Sequence, residues 1–196
     1  DLSLSISLDY FAGGIKVDEE PSIIGIGWAL HAGGVISRSV RGIPDELPKI
    51  GFINEPDLPQ ETTEGNRPGN NEQLRPFNKI NAKNLDNATD QFSFNFAGRS
   101  GRFVLGKNHD LLILDQQRLK INMKVSKPSN IALLNDSVIT AITIVDEKGV
   151  IYQFNDLEVT TDESSNAPGK TFPSAWYLSR IISPNLRDTI SLFYEQ

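Results

Sequence analysis

The feature that most constrains this chain is a two-residue alternation of apolar and polar side chains, interrupted at short intervals by glycine, proline or asparagine. Phe92-Ser93-Phe94-Asn95-Phe96 is its plainest instance. Leu2-Ser3-Leu4-Ser5-Ile6-Ser7-Leu8 and Leu119-Lys120-Ile121-Asn122-Met123-Lys124-Val125 repeat it. Successive strand side chains point to opposite faces, so each such run buries one face and wets the other. On a helix the same residues would scatter around the whole circumference. Residues 35–40, 102–105, 110–114, 137–145, 150–154, 176–182 and 189–194 read as further strands. The predicted fold is all-β. About ten strands form antiparallel hairpins, arranged as a sandwich or an open curved sheet, with at most one or two short helices. Residues 1–196 read as one module.

The breaks carry turn chemistry. Phe11-Ala12-Gly13-Gly14 and its echo His31-Ala32-Gly33-Gly34 supply paired glycines for a chain reversal. Gly98 to Gly101, Asp146-Glu147-Lys148-Gly149 and Ser183-Pro184-Asn185 mark hairpin turns, and a Gly/Pro/Ser loop is expected over 161–173. Ile43-Pro44-Asp45-Glu46 ends a strand, because proline has no ladder donor. Residues 47–87 lose the alternation and read as an irregular insertion or long loop, with a short helix over 75–85.

Hydrophobic residues make up 38% of the chain, which fits a β protein with long polar loops. The net charge of -6 comes without any concentrated run of Lys or Arg, which argues against nucleic acid or an acidic membrane as partner. The absence of cysteine removes disulfides and thiolate chemistry. No stretch reaches the ~20 apolar residues of a membrane helix, so no membrane insertion is expected. The chain opens already in a strand pattern and shows no signal peptide. A piece of a longer protein, with any targeting segment upstream, is the expectation.

No chemistry-bearing motif stands out. Gly25-Ile26-Gly27 lacks the third glycine and following helix of a phosphate loop. Steric reasons account for it instead: glycines allow tight backbone beside Trp28, which is expected to be a buried apolar anchor. His31 and His109 sit at turn-like positions outside any catalytic motif. Asp18-Glu19-Glu20 and Asp162-Glu163 read as solvated loop charges, without a calcium-loop pattern. No catalytic residue, metal ligand or cofactor is assigned, and the chain is not expected to be an enzyme.

The segment from Asp9-Tyr10 to Gly42 resembles the start of the shell region in bacterial RHS/YD-repeat proteins, closest to those of the Bacteroidetes group. It is also similar to the amino-terminal region of the toxin-complex B component. The resemblance rests on Tyr10, Gly13, Gly25-Ile26-Gly27-Trp28-Ala29-Leu30, Gly33-Gly34 and Ile36-Ser37-Arg38. Asp90 to Phe96 with Gly98, Gly101 and Phe103 resembles an aromatic hairpin of the same group, and Asp146, Gly149 and Tyr152-Gln153-Phe154 a similar hairpin. Residues 174–196, with Trp176, Tyr177, Pro184-Asn185 and Tyr194, look like the lead-in to a YD-repeat array. The resemblance implies a non-catalytic structural and interaction module at the start of a secreted or cell-surface shell protein. Some such shells enclose a toxin. Its partners would be the downstream repeats of the same parent. Gly25, Gly27, Trp28, Gly33, Gly34, Arg38, Trp176 and Tyr194 are its motif residues. The alternative is a carbohydrate-binding β-sandwich, in which Trp28, Trp176 and Tyr177 would stack on sugar rings. That alternative needs exposed, coplanar rings.

Overall fold

The structure is a computed structural model that describes residues 2–4, 6–10, 25–47, 51–54, 88–106, 110–128, 137–162 and 170–194. The expected all-β class holds. Eleven strands occur among the described residues: β1 (Ile6–Tyr10), β2 (Trp28–Ala32), β3 (Gly34–Ser39), β4 (Gln91–Phe96), β5 (Arg99–Leu105), β6 (Leu111–Ile113), β7 (Lys120–Ser126), β8 (Val138–Val145), β9 (Ile151–Asp162), β10 (Lys170–Ile182) and β11 (Thr189–Ser191). One 3-10 turn, Phe52–Asn54, is the helical content among them. The turn at Phe11 to Gly14, the expected helix over 75–85, most of 47–87, His109 and the acidic run at 18–20 lie outside the described residues.

Among the described residues every pairing is antiparallel. Nine strands form one sheet in the order β6-β5-β4-β3-β10-β9-β8-β7, with β11 also on β10. The sheet curls into a nearly closed barrel. Its two end strands, β6 and β7, border a common cavity without pairing, which leaves a seam. β3 and β11 share one edge of β10: Ala175 to Tyr177 face Val35 to Ser37, and Arg180 to Ile182 face Thr189 to Ser191.

The alternation defines the interior. Ile36 and Arg38 on β3, Phe92, Phe94 and Phe96 on β4, Phe103 and Leu105 on β5, Ile142 and Ile144 on β8, Tyr152 and Phe154 on β9, and Trp176 and Leu178 on β10 are all buried. The rings interlock: Phe92 stacks on Phe103 with centroids 5.0 Å apart, and Phe96 meets Tyr152 at 4.8 Å. The Trp176 indole N–H donates to the Ile139 carbonyl at 2.9 Å, so the largest buried ring has its polar atom satisfied.

Local turn chemistry matches the hairpins. Phe96 pairs with Arg99, so the β4–β5 loop is the two residues Ala97 and Gly98, both left-handed at φ 47° and 72°. That is the two-residue hairpin turn whose twist suits the flanking strands. The turn is tighter than the expected Gly98 to Gly101, and Gly101 lies within β5 beneath the Phe94 ring. In the β8–β9 turn, Asp146 Oδ1 accepts from the amides of Lys148 and Val150 at 2.9 and 2.8 Å. The expected loop over 161–173 is shorter than the sequence suggests. β9 and β10 continue to Asp162 and Lys170, and the Thr161 and Thr171 hydroxyls lie 2.9 Å apart. Pro173 is accommodated because β10 shifts register between Pro173 and Ala175 and its β3 pairing begins only at Ala175.

Ala32-Gly33-Gly34 does not reverse the chain into a hairpin. β2 pairs with β1 in a separate two-stranded ribbon, whereas β3 enters the barrel between β4 and β10. Gly33 makes that bend at φ 97°.

Candidate functional site

Two features stand apart from an ordinary barrel: an apolar ribbon on the outside and a charged cluster on the inside. The ribbon pairs Ile6 with Ala32, Leu8 with Leu30 and Tyr10 with Trp28. These cross-strand partners share one face. Ile6, Leu8 and Tyr10 are more than half exposed, and Leu30 and Trp28 are 47% and 42% exposed. The Tyr10 and Trp28 rings touch at 5.0 Å, tilted by 47°.

Trp28 is therefore not the buried anchor that the sequence suggests. Gly25 and Gly27, at φ 114° and 76°, turn the chain so that Trp28 starts β2 opposite Tyr10. Among the described residues the ribbon forms a sheet separate from the nine-stranded one, and its alternation sorts side chains without burying the apolar set. Leu2 and Leu4, earlier in the same run, do pack against the barrel core.

The other motif residues converge on β3 and β10. Gly34 sits across from Phe96, where a Cβ would come within 2.5 Å of the Phe96 Cβ. A Cβ on Gly33 would lie 3.1 Å from the Tyr194 hydroxyl oxygen, which itself donates to the Leu178 carbonyl at 2.9 Å. Trp176 is fully buried, so it offers no sugar platform. Tyr177 is partly buried, tilted against Tyr194 at 5.4 Å, and donates to Glu158 at 2.6 Å. The hydrogen bond to Glu158, with burial, pushes the Tyr177 hydroxyl up to about 12. Ser7, Asp9, Asn95, Arg99, Tyr177 and Tyr194 help line an open cavity of about 490 Å³ between ribbon and barrel rim. His31 lies in β2, and its side chain is outside the described residues.

Inside the barrel, Arg38 occupies an inward position of β3, opposite Phe92. Its guanidinium lies 5.5 Å from the Phe92 ring centroid and 5.8 Å from that of Phe172. It donates to both Glu46 carboxylate oxygens, at 2.9 and 2.6 Å, a fork-to-fork pair. Its Nε donates to Asp90 Oδ2 at 2.8 Å. Asp90 also accepts the Arg41 amide at 2.7 Å and the Asp45 amide at 3.2 Å. The Asp90 amide returns to Asp45 Oδ2 at 3.0 Å, so the two aspartates bracket each other's backbone. Burial opposes the guanidinium's charge, but Glu46 and Asp90 outweigh it and raise its pKa. Burial raises Asp90 against the pull of Arg38. Asp45 goes furthest: burial, then the Asp90 carboxylate, push it up to about 8.

The sequence reading assigned Arg38 only as a motif residue and missed Asp45, Glu46 and Asp90. One signal was present, since an arginine in phase with Ile36 on a buried face requires buried carboxylates. Among the described residues no group of three or more His, Asp or Glu is placed to hold a metal ion. The cluster's carboxylates are instead engaged by Arg38 and backbone amides. No family model matches the chain, and no curated protein or solved structure does either.

Proposed function

We propose that this chain is a non-catalytic structural and interaction module, working through the β1–β2 ribbon, at the start of a secreted or surface shell protein of the RHS type. The observation that carries the interaction role is the exposed ladder of Ile6, Leu8, Tyr10, Trp28 and Leu30 on one face of a two-stranded ribbon. A contiguous exposed apolar face of this kind marks a contact surface rather than ordinary scatter. The RHS assignment rests on the motif residues alone, and the downstream hairpins of the parent would be the natural cover for such a ribbon. Reading the coding sequence beyond residue 196 tests that assignment: tandem YD repeats support it, and their absence removes it. The interaction role is tested separately by hydrogen exchange on the longer gene product and on the isolated chain. The β1 and β2 amides should be more protected in the longer product. Equal exchange in the two would overturn the role.

Exposure of Trp28 also favours a second reading, sugar binding. Against it, the 47° tilt between Tyr10 and Trp28 gives no flat platform, and the adjoining ladder positions are apolar rather than hydrogen-bonding. Glycan-array binding lost in Trp28→Ala, with the fold retained, would turn the assignment to sugar.

A further inference from the structure

The buried cluster sets one guanidinium against three carboxylates, and the donors are shared unevenly among them. Glu46 and Asp90 divide the Arg38 donors, and Asp90 adds two backbone amides. Asp45 receives the Asp90 amide and lies 3.2 Å from the Thr89 hydroxyl oxygen. That hydroxyl has one proton, and the Leu105 carbonyl stands nearer, at 2.7 Å. A proton on Asp45 completes the set: the acid donates to Thr89, and Thr89 donates to Leu105. An ionised Asp45 instead leaves two carboxylates bracketing each other in a dry site, which is costly.

Asp45 belongs to a strap, residues 43–47 and 51–54, laid along the barrel. Glu46 fixes it to Arg38 and accepts the Ile139 amide at 3.4 Å. The Asp45 carbonyl accepts the Ile53 amide at 3.2 Å, and Gly51 packs against the Pro44 and Asp45 carbonyls so closely that a Cβ would overlap them. Ile53 and Leu105 both line the open cavity of about 490 Å³ at the seam between β6 and β7. The proton site thus connects to the seam by two short routes, Asp45 to Ile53 through the strap backbone and Asp45 to Leu105 through Thr89.

We propose that the strap is a proton-operated latch on the β6/β7 seam, seated while Asp45 is a neutral acid and released when that proton leaves. The charged groups facing Asp45 are Asp90, ahead of β4, and Arg38, on β3, with Glu46 beside it on the strap. Release falls on the strap because Asp90 is continuous with β4, whereas the strap is tied through Glu46 and the Asp45 bracket, and its Ile43 and Leu47 form a small cluster apart from the main core. The raised Asp45 pKa, about 8, puts the change in mildly alkaline solution.

Two measurements on the intact chain test the latch. Carbon NMR of the Asp45 carboxyl should show a midpoint near 8, and a midpoint near the ordinary 3.8 would overturn the proposal. Amide exchange at Gly51 and Ile53, corrected for base catalysis, should lose up to about tenfold in protection per pH unit as pH rises toward that midpoint and level off above it, while Phe94 and Phe96 stay protected. No such loss would also overturn it. Asp45→Asn presents an amide N–H where the neutral acid has its proton, so it should hold Gly51 and Ile53 protected throughout. If the variant loses protection as the wild type does, Asp45 is not the latch. Should Asp45→Asn not fold, agreement between the wild-type carboxyl midpoint and the pH at which exchange levels off decides, and disagreement counts against the proposal.

Discussion

At the scale of single residues, Arg38 is the most consequential side chain. It lies inside the barrel against Phe92 and Phe172 and holds Glu46 and Asp90 together. Replacing one partner of a buried ion pair leaves the other charge unpaired, which costs more than the pair itself contributes. Arg38→Met fills similar apolar space but strands the Glu46 and Asp90 carboxylates. Chemical denaturation near neutral pH should show a loss of about 3–5 kcal/mol. Part of it should return in acid, where the carboxylates take up protons. A loss below about 1 kcal/mol would mean that the cluster is not the keystone its geometry indicates.

At the scale of elements, the β4–β5 hairpin and the β3–β4 pair show where glycine is required and where it is missing. Ala97 sits left-handed at φ 47° in the first position of a two-residue turn, beside Gly98. Alanine pays a steric penalty there that asparagine largely avoids. Ala97→Asn should therefore raise stability by about 0.5–1 kcal/mol, read as a higher denaturation midpoint at unchanged slope. Gly34 is the opposite case. Its backbone is not left-handed, but Phe96 leaves no room for a Cβ. Gly34→Ala should cost about 1–3 kcal/mol, since β3 and β4 must separate to admit the methyl.

At the scale of the whole molecule, the raised carboxyls set the pH dependence of folding. Asp45 titrates near 8 when folded and near 3.8 when unfolded, so between those values the folded state binds the extra proton. Its contribution is complete below about 4, declines as pH rises, and is gone above about 8. Asp90 is raised too and acts in the same direction. Denaturation across this window should show stability falling with pH, and Asp45→Asn should flatten the slope. Wild-type stability that rises across the same interval would contradict the burial of these carboxyls.

What the sequence determined by itself was set by local period and turn chemistry. Phe92 to Phe96 could only be a half-buried strand, Asp146 to Gly149 could only turn, and the β4–β5, β8–β9 and β10–β11 hairpins were legible because their partners are close in sequence. Only tertiary structure decided which alternating runs found a core. Leu119 to Val125 and Leu2 to Leu8 look equally amphipathic. Yet Ile121 is buried in the barrel, while Leu8 stays exposed on β1, which pairs with β2 in a separate ribbon. The same holds for the site. Period 2 places Arg38 on the face of Ile36, but its carboxylates lie eight and 52 residues away along the chain. Closing β3 against β4 and laying the strap across them brings Glu46, Asp90 and Asp45 into one desolvated space. Contacts across such separations depend on how the sheet closes, which no local pattern encodes.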